Sequence, residues 1–305
     1  MTQSITNQPV KLIAIDIDGT LLNSQHQMTE RTEKALKAAA AKGVHIILAT
    51  GKTYVSGSHI VEKLNLNHPA IFMQGTISYN ADGSLRHQIT LDAAIARQVI
   101  TFAEDRGYMM AVYTGKRILV RQMHKRMEEL TTLYHEPMPE AVGSLQNVLD
   151  SIPVNKLLAV KPGDARAINA LRWQLKMQIN GNARLLNAGI EDMLEILPNG
   201  ASKGSALKTL IKDLGVPSES VMAIGDAEND IEMIQLAGIG VAVGNAAQIL
   251  KDAADVVVAS NDADGVAEAV ERYVLQTEAQ SSDAAAKPEA ETKPELAAET
   301  PSKSE

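Results

Sequence analysis

Two aspartates stand two positions apart directly after the first apolar run of the chain. Residues 11–15 predict a buried strand, and Asp16 and Asp18 follow it in the segment DIDGT. A continuing strand would point the two carboxylates to opposite faces, but a turn at Gly19 lets both approach one point. Because crowded carboxylates repel each other, a cation between them or a proton on one of them is favoured. The pair therefore predicts a metal or acid–base site, and the alternative is an ordinary Asp-Gly turn with solvated carboxylates.

A second acidic cluster follows another apolar run, at residues 221–224. Asp226, Asn229 and Asp230 lie where the next helix is predicted to begin. Their side-chain oxygens are the hard ligands that Mg²⁺ prefers. The alternative is a helix cap, because acidic side chains are favoured at helix N-termini without any metal.

Two further segments could bind a phosphate. Thr50 and Gly51 end a second predicted strand and precede a helix, so a hydroxyl and free backbone amides are available to an anion. Lys203 begins another predicted helix, where a cation opposes the helix dipole at a cost of about a few tenths of a kcal/mol. A bound anion would offset that cost, whereas a common turn at Thr50 and a solvated Lys203 are the alternatives. All of these residues fall at strand ends or helix starts, which favours one shared site over independent coincidence.

These residues need a fold that brings distant parts of the chain together. Strands and helices alternate over residues 11–73, and again after residue 188, beginning with a strand predicted at residues 193–197. That rhythm predicts an α/β protein with a Rossmann-like parallel-sheet core, whose strands open at their carboxyl ends into a ligand crevice.

The chain between these stretches has a different pattern. Asp82-Gly83 predicts a hairpin turn, and short strands and helices follow it, so we predict an inserted α+β module at residues 82–187. The core is then discontinuous and consists of residues 1–81 with residues 188–275. Residues 276–305 are mainly Ala, Glu, Pro, Ser, Lys and Thr, which bury too little apolar area to fold, and they predict a disordered C-terminal tail.

Composition excludes several classes of protein. The chain has 305 residues, a formal net charge of −8, 3% aromatic residues and no cysteine. Without a basic face it is not expected to bind nucleic acid, and without cysteine it has neither disulfides nor thiolate metal sites. No apolar run approaches the ~20 residues of a membrane span, and the first residues lack the plan of a signal peptide, so we expect a cytoplasmic protein without a membrane segment. The oligomeric state is left open.

Four motifs together resemble a known family. They are DIDGTLL at residues 16–22, LATG at residues 48–51, KG at residues 203–204 and GDAENDIEM at residues 225–233. Over about residues 10–275 the chain resembles the Cof-type branch of the haloacid dehalogenase-like (HAD) hydrolases, in which an α+β cap is inserted between the second and third motifs. The resemblance implies a Mg²⁺-dependent phosphatase that hydrolyses a small phosphorylated metabolite through an aspartyl-phosphate. Sugar phosphates, pyridoxal phosphate and flavin-pathway phosphates are all consistent with the family.

The resemblance also implies a role for each acidic residue. Asp16 would be the nucleophile and a Mg²⁺ ligand. Asp18 would be the general acid and base, and its main-chain carbonyl would be a second ligand. Asp226 would be the third protein ligand of Mg²⁺. Asn229 and Asp230 would support the metal, partly through water.

The remaining motif residues are implied to bind the phosphoryl group. Thr50 and Lys203 would hold its oxygens, and Asp230 would orient Lys203. Two positions depart from the family pattern: Lys52 stands where arginine is usual, and Gln74 stands where asparagine is frequent. A lysine cannot make a bidentate phosphate contact. Both positions are expected to lie near the substrate rather than the reacting phosphorus, so they affect substrate preference and not the reaction.

Two other interpretations stay open. A phosphomutase would share the aspartyl-phosphate but would return the phosphoryl group to a sugar. A signalling receiver would use its aspartate as a phosphorylated switch, although the long insertion and the second acidic cluster at a helix start argue against it. The sequence does not identify the substrate, because cap residues choose it.

Overall fold

The computed structural model describes residues 8–187 and 190–275. The predicted disordered tail, residues 276–305, lies outside the described residues. The strands are β1 (Leu12–Ile15), β2 (His45–Leu48), β3 (Ala70–Phe72), β4 (Ile77–Tyr79), β5 (Leu85–Gln88), β6 (Met109–Thr114), β7 (Arg117–Val120), β8 (Glu140–Ala141), β9 (Lys156–Val160), β10 (Ala183–Asn187), β11 (Met193–Pro198), β12 (Val221–Gly225), β13 (Ile239–Ala242) and β14 (Val256–Val257). The helices are α1 (Glu30–Ala41), α2 (Tyr54–Lys63), α3 (Ala93–Glu104), α4 (Lys125–Tyr134), α5 (Ala165–Ile179), α6 (Lys203–Asp213), α7 (Ile231–Leu236), α8 (Gln248–Ala253) and α9 (Gly265–Val270).

A parallel sheet forms the core, as the sequence predicts. Its strand order is β14-β13-β12-β1-β2, and every pair in it is parallel. The apolar residues of β1 are completely buried, which is typical of a strand covered on both faces. β1 lies between β12 and β2, with Ile15 in register with Ile224 and Leu48. Residues that follow these three strands therefore meet at one edge of the sheet, whatever their separation in sequence.

Side-chain caps set where the helices beside this sheet begin. The hydroxyl of Thr29 accepts from the backbone N–H of Thr32 at the start of α1. At the start of α6, Ser202 and Ser205 form a reciprocal capping box. The box fixes the first turn of α6, which carries Lys203.

A second sheet of six strands has the order β10-β11-β9-β6-β7-β8. Its strand pairs are antiparallel except for β7 with β8. One face packs with α3 and α5 in an apolar cluster of its own, which includes Val99, Leu157 and Leu171. The opposite face, with Tyr113 and Leu158, joins the apolar cluster of the core. This module is the α+β cap that the sequence predicts.

One predicted strand belongs to a different sheet from the one expected. The sequence predicts a parallel core strand at residues 193–197, but β11 pairs antiparallel with β9 and β10 in the cap sheet. This prediction is wrong. β11 is an interior strand that is buried along its whole length, and such a strand has the same apolar pattern whether its neighbours are parallel or antiparallel. The bounds of the cap, residues 82 and 187, stay a prediction.

β3 is not a regular member of the parallel sheet either. A single parallel bridge joins Ala49 to Ile71, and β3 pairs antiparallel with β4. β4 and β5 form the hairpin predicted at Asp82-Gly83. Helix α4 is not predicted from the sequence, because it has few apolar residues, Met127 and Leu130 among them. It lies in the cap.

Candidate active site

Asp16 and Lys203 form a buried ion pair at the carboxyl end of β1. Lys203 Nζ lies 2.5 Å from Oδ1 of Asp16 and 2.8 Å from Oδ1 of Asp230. Asp16 follows β1 directly, and Lys203 is the first residue of α6. The end of β1 and the N-terminus of α6 therefore meet at this point. Oδ2 of Asp16 has no hydrogen-bond partner among the described residues. One carboxylate oxygen of this cavity-lining residue is therefore free.

The acidic cluster after β12 folds back on itself and against the loop after β1. Asp230 accepts from the backbone N–H groups of Asp226 and Ala227, at 3.1 and 3.2 Å. Asp226 accepts from the hydroxyl of Thr20 at 3.3 Å. Gly19 has a φ of 79°, and a Cβ atom there would lie 2.4 Å from a carboxylate oxygen of Asp226. Glycine is therefore required at position 19 for the backbone conformation and for the close approach of the two segments.

The carboxylates of Asp16, Asp226 and Asp230 are close enough to bind one ion. One oxygen from each lies within 4.8 Å of the others. The sequence predicts a cation shared by Asp16 and Asp226, and this distance is compatible with that prediction. All donors are hard carboxylate oxygens, which suit Mg²⁺. Lys203 supplies one positive charge to three carboxylates, so a divalent cation fits the charge balance.

Burial makes this cluster unfavourable when it is fully ionised. Burial raises the pKa of Asp16 well above its ordinary value of 3.8, although Lys203 opposes the rise. Burial, together with the negative charge of Asp230, raises the pKa of Asp226 to about 6. Burial alone would lower the pKa of Lys203, but Asp16 and Asp230 outweigh it and raise that pKa, so the lysine stays charged. A cation beside these carboxylates would relieve the repulsion between them.

Asp18 lies beside Lys52 rather than within the cluster. Lys52 Nζ is 3.2 Å from Oδ2 of Asp18 and donates to the backbone carbonyl of Tyr134 at 2.9 Å. His26 approaches Oδ1 of Asp18 at 3.6 Å, and this buried oxygen has no hydrogen-bond partner. An unsatisfied carboxylate oxygen in a ligand cavity suits a group that exchanges a proton with the ligand. The sequence predicts that Lys52 lies near the substrate and away from the phosphorus. Its side chain instead extends to Asp18.

Thr50 and Gly51 end the strand beside β1, and both line the cavity. The hydroxyl oxygen of Thr50 accepts from the backbone N–H of Lys52 at 3.1 Å, which leaves the hydroxyl proton available to a ligand. Gly51 packs beneath Gln74, and a Cβ atom at position 51 would lie 2.6 Å from the side-chain nitrogen of Gln74. The strand end therefore presents a hydroxyl donor, and a side chain at position 51 would displace the Gln74 amide.

Gln74 links the acidic cluster to the cap. Its side-chain oxygen accepts from Asn229 at 2.9 Å, and its nitrogen donates to Glu195 of β11 at 2.9 Å. Lys156 of β9 donates to Glu195 at 2.6 Å and to the backbone carbonyl of Gly51 at 3.2 Å. Gln74 has a φ of 59°, which is uncommon for a residue other than glycine. The core thus holds Gln74 in a strained conformation at the position from which it contacts the cap.

A cavity of about 500 Å³ opens between the carboxyl edge of the core sheet and the cap. Its size is in the range of small-ligand pockets. The predicted site residues that line it are Asp16, Asp18, Thr50, Gly51, Lys203, Asp226 and Asn229. Asp230 is completely buried and contacts Lys203. The structure therefore brings the predicted residues together, while their individual roles stay predictions.

Sequence reasoning misses the cap side of the cavity. Tyr113, Tyr134, Lys156 and Glu195 line it without belonging to any motif. They are single positions in ordinary strands or helices, and only the packing of the cap on the core brings them to the site. The one available signal is a charged residue inside an apolar strand, as at Lys156 and Glu195, which indicates a buried polar pair.

A buried aspartate–lysine pair and an acidic cluster lie at the carboxyl edge of a parallel sheet, beneath an inserted cap. The protein is thus an α/β protein whose ligand-sized cavity is lined by aspartates. Comparison with known proteins narrows this class. The haloacid dehalogenase-like hydrolase family matches residues 13–270. The chain belongs to this family, which confirms the resemblance inferred from the four motifs.

The chain is also similar to individual proteins over most of its length. It is 35% identical over 272 residues to the chloroplastic endoribonuclease YBEY of Arabidopsis thaliana, a match that covers 86% of this chain and 46% of that protein. The chain thus spans about half the length of this relative. It is 32% identical to phosphatase YwpJ of Bacillus subtilis, covering 85% of this chain and 98% of YwpJ. It is 30% identical to the 5-amino-6-(5-phospho-D-ribitylamino)uracil phosphatase YcsE of the same organism, covering 87% and 96%.

Among solved structures, the chain is similar to a haloacid dehalogenase-like hydrolase from Bacillus subtilis. The TM-score is 0.78 and the identity 29%, with 87% of this chain and 100% of the other covered. Over residues 8–187 and 190–275, no helix is both long enough and apolar enough to cross a membrane.

Proposed function

We propose that the protein is a Mg²⁺-dependent phosphatase that hydrolyses small phosphomonoesters through an aspartyl-phosphate on Asp16. The observation that carries this proposal is the buried contact of Asp16 with Lys203, close to Asp226 and at the side of a ligand-sized cavity. The names of two relatives, YwpJ and YcsE, support the same class of reaction. Sugar phosphates, pyridoxal phosphate and flavin-pathway phosphates are the candidate substrates, and the name of YcsE favours the last of these.

The site would accept a dianionic substrate once a cation offsets the charge of its carboxylates. A phosphate ester repels an anionic nucleophile, and Lys203 with the hydroxyl of Thr50 offers a positive charge and a hydrogen bond where that repulsion acts. Mg²⁺ would be held by Asp16, Asp226 and the main-chain carbonyl of Asp18, with Asn229 and Asp230 in support. When bound, it would neutralise charge on the transferring phosphoryl group.

The reaction divides into two displacements at phosphorus. In the first, a carboxylate oxygen of Asp16 attacks, and the bond between phosphorus and the leaving oxygen breaks. Asp18 enters protonated and gives its proton to that oxygen, so the leaving group departs as an alcohol. In the second, Asp18 takes a proton from water, whose oxygen attacks phosphorus as the bond to Asp16 breaks. The products are inorganic phosphate and the regenerated carboxylate of Asp16.

Contacts within the site support particular atoms for these tasks. Lys203 binds Oδ1 of Asp16, so Oδ2 is the oxygen left to attack phosphorus. Lys52 binds Oδ2 of Asp18 and leaves Oδ1 as the oxygen that carries the transferred proton. The cap, tied to the core by Gln74, would exclude bulk water from the aspartyl-phosphate except for the attacking molecule.

Release of inorganic phosphate from p-nitrophenyl phosphate tests the proposal. We expect turnover in Mg²⁺ that is lost in EDTA and restored when Mg²⁺ is added back. Phosphorylation of the protein without turnover would indicate a signalling receiver. Conversion of a hexose phosphate into its positional isomer without release of phosphate would indicate a phosphomutase. Either of these two results would overturn the proposal.

A further inference from the structure

The cap side of the cavity has a chemistry that the catalytic residues do not explain. On the face of the cap sheet that lines the cavity, Ile118, Tyr113 and Lys156 form one cross-strand row on β7, β6 and β9. Leu158 and Glu195, paired across β9 and β11, form part of the next row. This face therefore combines apolar side chains with one tyrosine hydroxyl and one charged pair.

Helix α4 forms a second, largely apolar wall. Met127, Leu130 and Tyr134 line the cavity at helical spacing, and the first two are 4% and 7% exposed. The ring of Tyr134 lies 5.3 Å from Nζ of Lys52. Because Lys52 also contacts Asp18, the apolar wall begins next to the proposed general acid and extends away from it.

The charged pair on the cap sheet is already satisfied by protein groups. Lys156 donates to Glu195 and to the carbonyl of Gly51, and Glu195 also accepts from Gln74. Nζ of Lys156 lies 4.4 Å from the centre of the Tyr113 ring. These groups hold the cap on the core, so they offer few hydrogen bonds to the hydroxyl groups of a ligand.

Tyr113 differs from its neighbours because no described residue forms a hydrogen bond with its hydroxyl. The residue is 6% exposed and lines the cavity, and in the described part of the chain its hydroxyl has no hydrogen-bond partner. Burial raises the pKa of Tyr113 well above its ordinary value of 10, so the hydroxyl keeps its proton. The hydroxyl is a free donor on a residue that lines the cavity, and a bound ligand that accepts from it would gain a hydrogen bond.

We propose that the cap side of the cavity binds a leaving group with a flat, largely apolar ring that carries a hydrogen-bond acceptor for the hydroxyl of Tyr113. This inference rests on the proposed phosphatase function. A polyhydroxylated sugar is disfavoured against these walls, because hydroxyl groups beside Ile118, Leu130 and Leu158 would lose water and find no polar partner there. Asn187 offers an amide elsewhere in the lining. A ring gains from burial against the same apolar residues and from packing on Tyr113 and Tyr134.

Phosphate esters of primary alcohols test this preference. Benzyl phosphate supplies a ring without an acceptor, the three isomeric pyridylmethyl phosphates supply a ring with one, and glucose 6-phosphate supplies a polyol. Because every leaving group is a primary alcohol, differences in kcat/KM report mainly recognition. We expect kcat/KM for benzyl phosphate and for the best pyridylmethyl ester to exceed that for glucose 6-phosphate by about tenfold or more. An equal or higher kcat/KM for glucose 6-phosphate would overturn the inference and leave the phosphatase function intact.

Tyr113→Phe separates recognition of the acceptor from recognition of the ring. We expect this variant to lose about tenfold in kcat/KM for the best pyridylmethyl ester and to keep benzyl phosphate within about twofold. It removes a hydroxyl that no described residue contacts, so the melting temperature should not fall. Equal loss for both esters would contradict a hydrogen bond from Tyr113.

Leu130→Gln tests the apolar wall itself. We expect it to reduce the preference for benzyl phosphate over glucose 6-phosphate by about tenfold. Leu133→Gln is the matched control, because Leu133 is on the same helix but 50% exposed and outside the cavity. An unchanged preference in a Leu130→Gln protein that melts normally would contradict the inference.

Direct binding separates the failure of this inference from the failure of the proposed function. Titration calorimetry of Asp16→Asn with Mg²⁺ and each ester measures affinity without turnover. Tighter binding of the ring esters to a protein whose wild type hydrolyses none of them would support the subsite and reject the phosphatase. Binding without preference, beside active hydrolysis in the wild type, would reject the subsite and keep the phosphatase.

Discussion

Nζ of Lys203 and Oδ1 of Asp16 are 2.5 Å apart inside the protein, although 187 positions separate them in the sequence. The same ammonium group contacts Asp230, so one cation holds two buried carboxylates. Buried ion pairs are often no more stabilising than apolar packing of the same volume. The contact is therefore better explained by chemistry than by stability: it fixes one oxygen of Asp16 and leaves the other free.

Asp16→Asn should abolish turnover while the fold survives. The amide has the size of the carboxylate but is a poor nucleophile, so we expect kcat to fall by more than about 1,000-fold. Lys203 keeps Asp230 as a partner, and the melting temperature should change little. Phosphate release from p-nitrophenyl phosphate and a thermal melt measure the two effects. Asp105→Asn, at an exposed position of the cap, is the control and should behave as the wild type. Retained activity in Asp16→Asn would reject Asp16 as the nucleophile.

Lys203→Met should destabilise the protein strongly. The substitution keeps the approximate volume but leaves Asp16 and Asp230 buried without a cation, which costs about 3–5 kcal/mol in comparable cases. Urea denaturation in EDTA measures the free energy of unfolding. Lys208→Met, on the exposed side of the same helix, should stay within about 0.5 kcal/mol of the wild type.

A second substitution shows whether this loss arises from uncompensated charge. Adding Asp230→Asn to Lys203→Met removes one of the two carboxylates, and the amide oxygen can still accept from the backbone N–H of Asp226. We expect the double variant to recover part of the lost free energy of unfolding. The single variant Asp230→Asn gives the effect of this substitution when Lys203 is present. If Asp230→Asn lowers the free energy of unfolding of Lys203→Met by the same amount, the two effects are additive and charge is not the cause.

The core side of the site could be predicted because its residues follow a local rule. Asp16, Thr50 and Asp226 each come just after a buried strand, and the parallel order of those strands suffices to bring them together. The acidic cluster and the positions predicted to bind phosphate could therefore be expected to meet before their distances were known. Asp18, which lies beside Lys52, has a neighbour that strand ends do not predict.

The cap side could not be predicted because long-range packing determines it. Lys156 and Glu195 meet across β9 and β11, and β11 has the apolar pattern of a core strand, so its true neighbours are hidden in the sequence. Helix α4 is also missed, although Leu130 and Tyr134 form a wall of the cavity. Which face of the cap meets the core depends on contacts such as Gln74 with Glu195, and no local pattern indicates them.

Stabilisation by Mg²⁺ should increase as pH rises. The pKa of Asp226 is raised to about 6 from 3.8, so the folded, metal-free protein binds this proton more tightly than the unfolded chain does. The resulting contribution to the free energy of unfolding is complete at low pH and is lost as pH rises through about 6. Because Mg²⁺ competes with that proton, its stabilising effect should be larger at about pH 7.5 than at about pH 5.

Melting temperatures in Mg²⁺ and in EDTA, compared at both pH values, measure this effect. Asp226→Asn should lose most of the gain from Mg²⁺ at either pH, because it removes a charged oxygen ligand. Asp105→Asn should keep the gain. The same gain at both pH values in the wild type would mean that protons and Mg²⁺ do not compete at this cluster.

Lys52→Met should lower activity without unfolding the protein. Lys52 is 6% exposed, and its ammonium group contacts Oδ2 of Asp18 and the backbone carbonyl of Tyr134. Methionine fills the same space without the charge, so Asp18 loses the group that orients it, and we expect kcat/KM to fall by about 10- to 100-fold. Ser56 still donates to the carbonyl of Tyr134 and keeps the cap in place, so the melting temperature should change little.

Lys52→Arg distinguishes orientation of Asp18 from simple packing. Arginine keeps the positive charge and can donate to both Asp18 and the carbonyl of Tyr134, so it should restore kcat/KM to within about tenfold of the wild type. Lys63→Met, at a half-exposed position at the end of helix α2, which begins shortly after Lys52, controls for loss of a lysine in general. If Lys52→Met keeps the kcat/KM of the wild type, the contact of Lys52 with Asp18 does not serve the reaction. The hydrogen bond of Lys52 to the carbonyl of Tyr134 would then serve only to attach the cap.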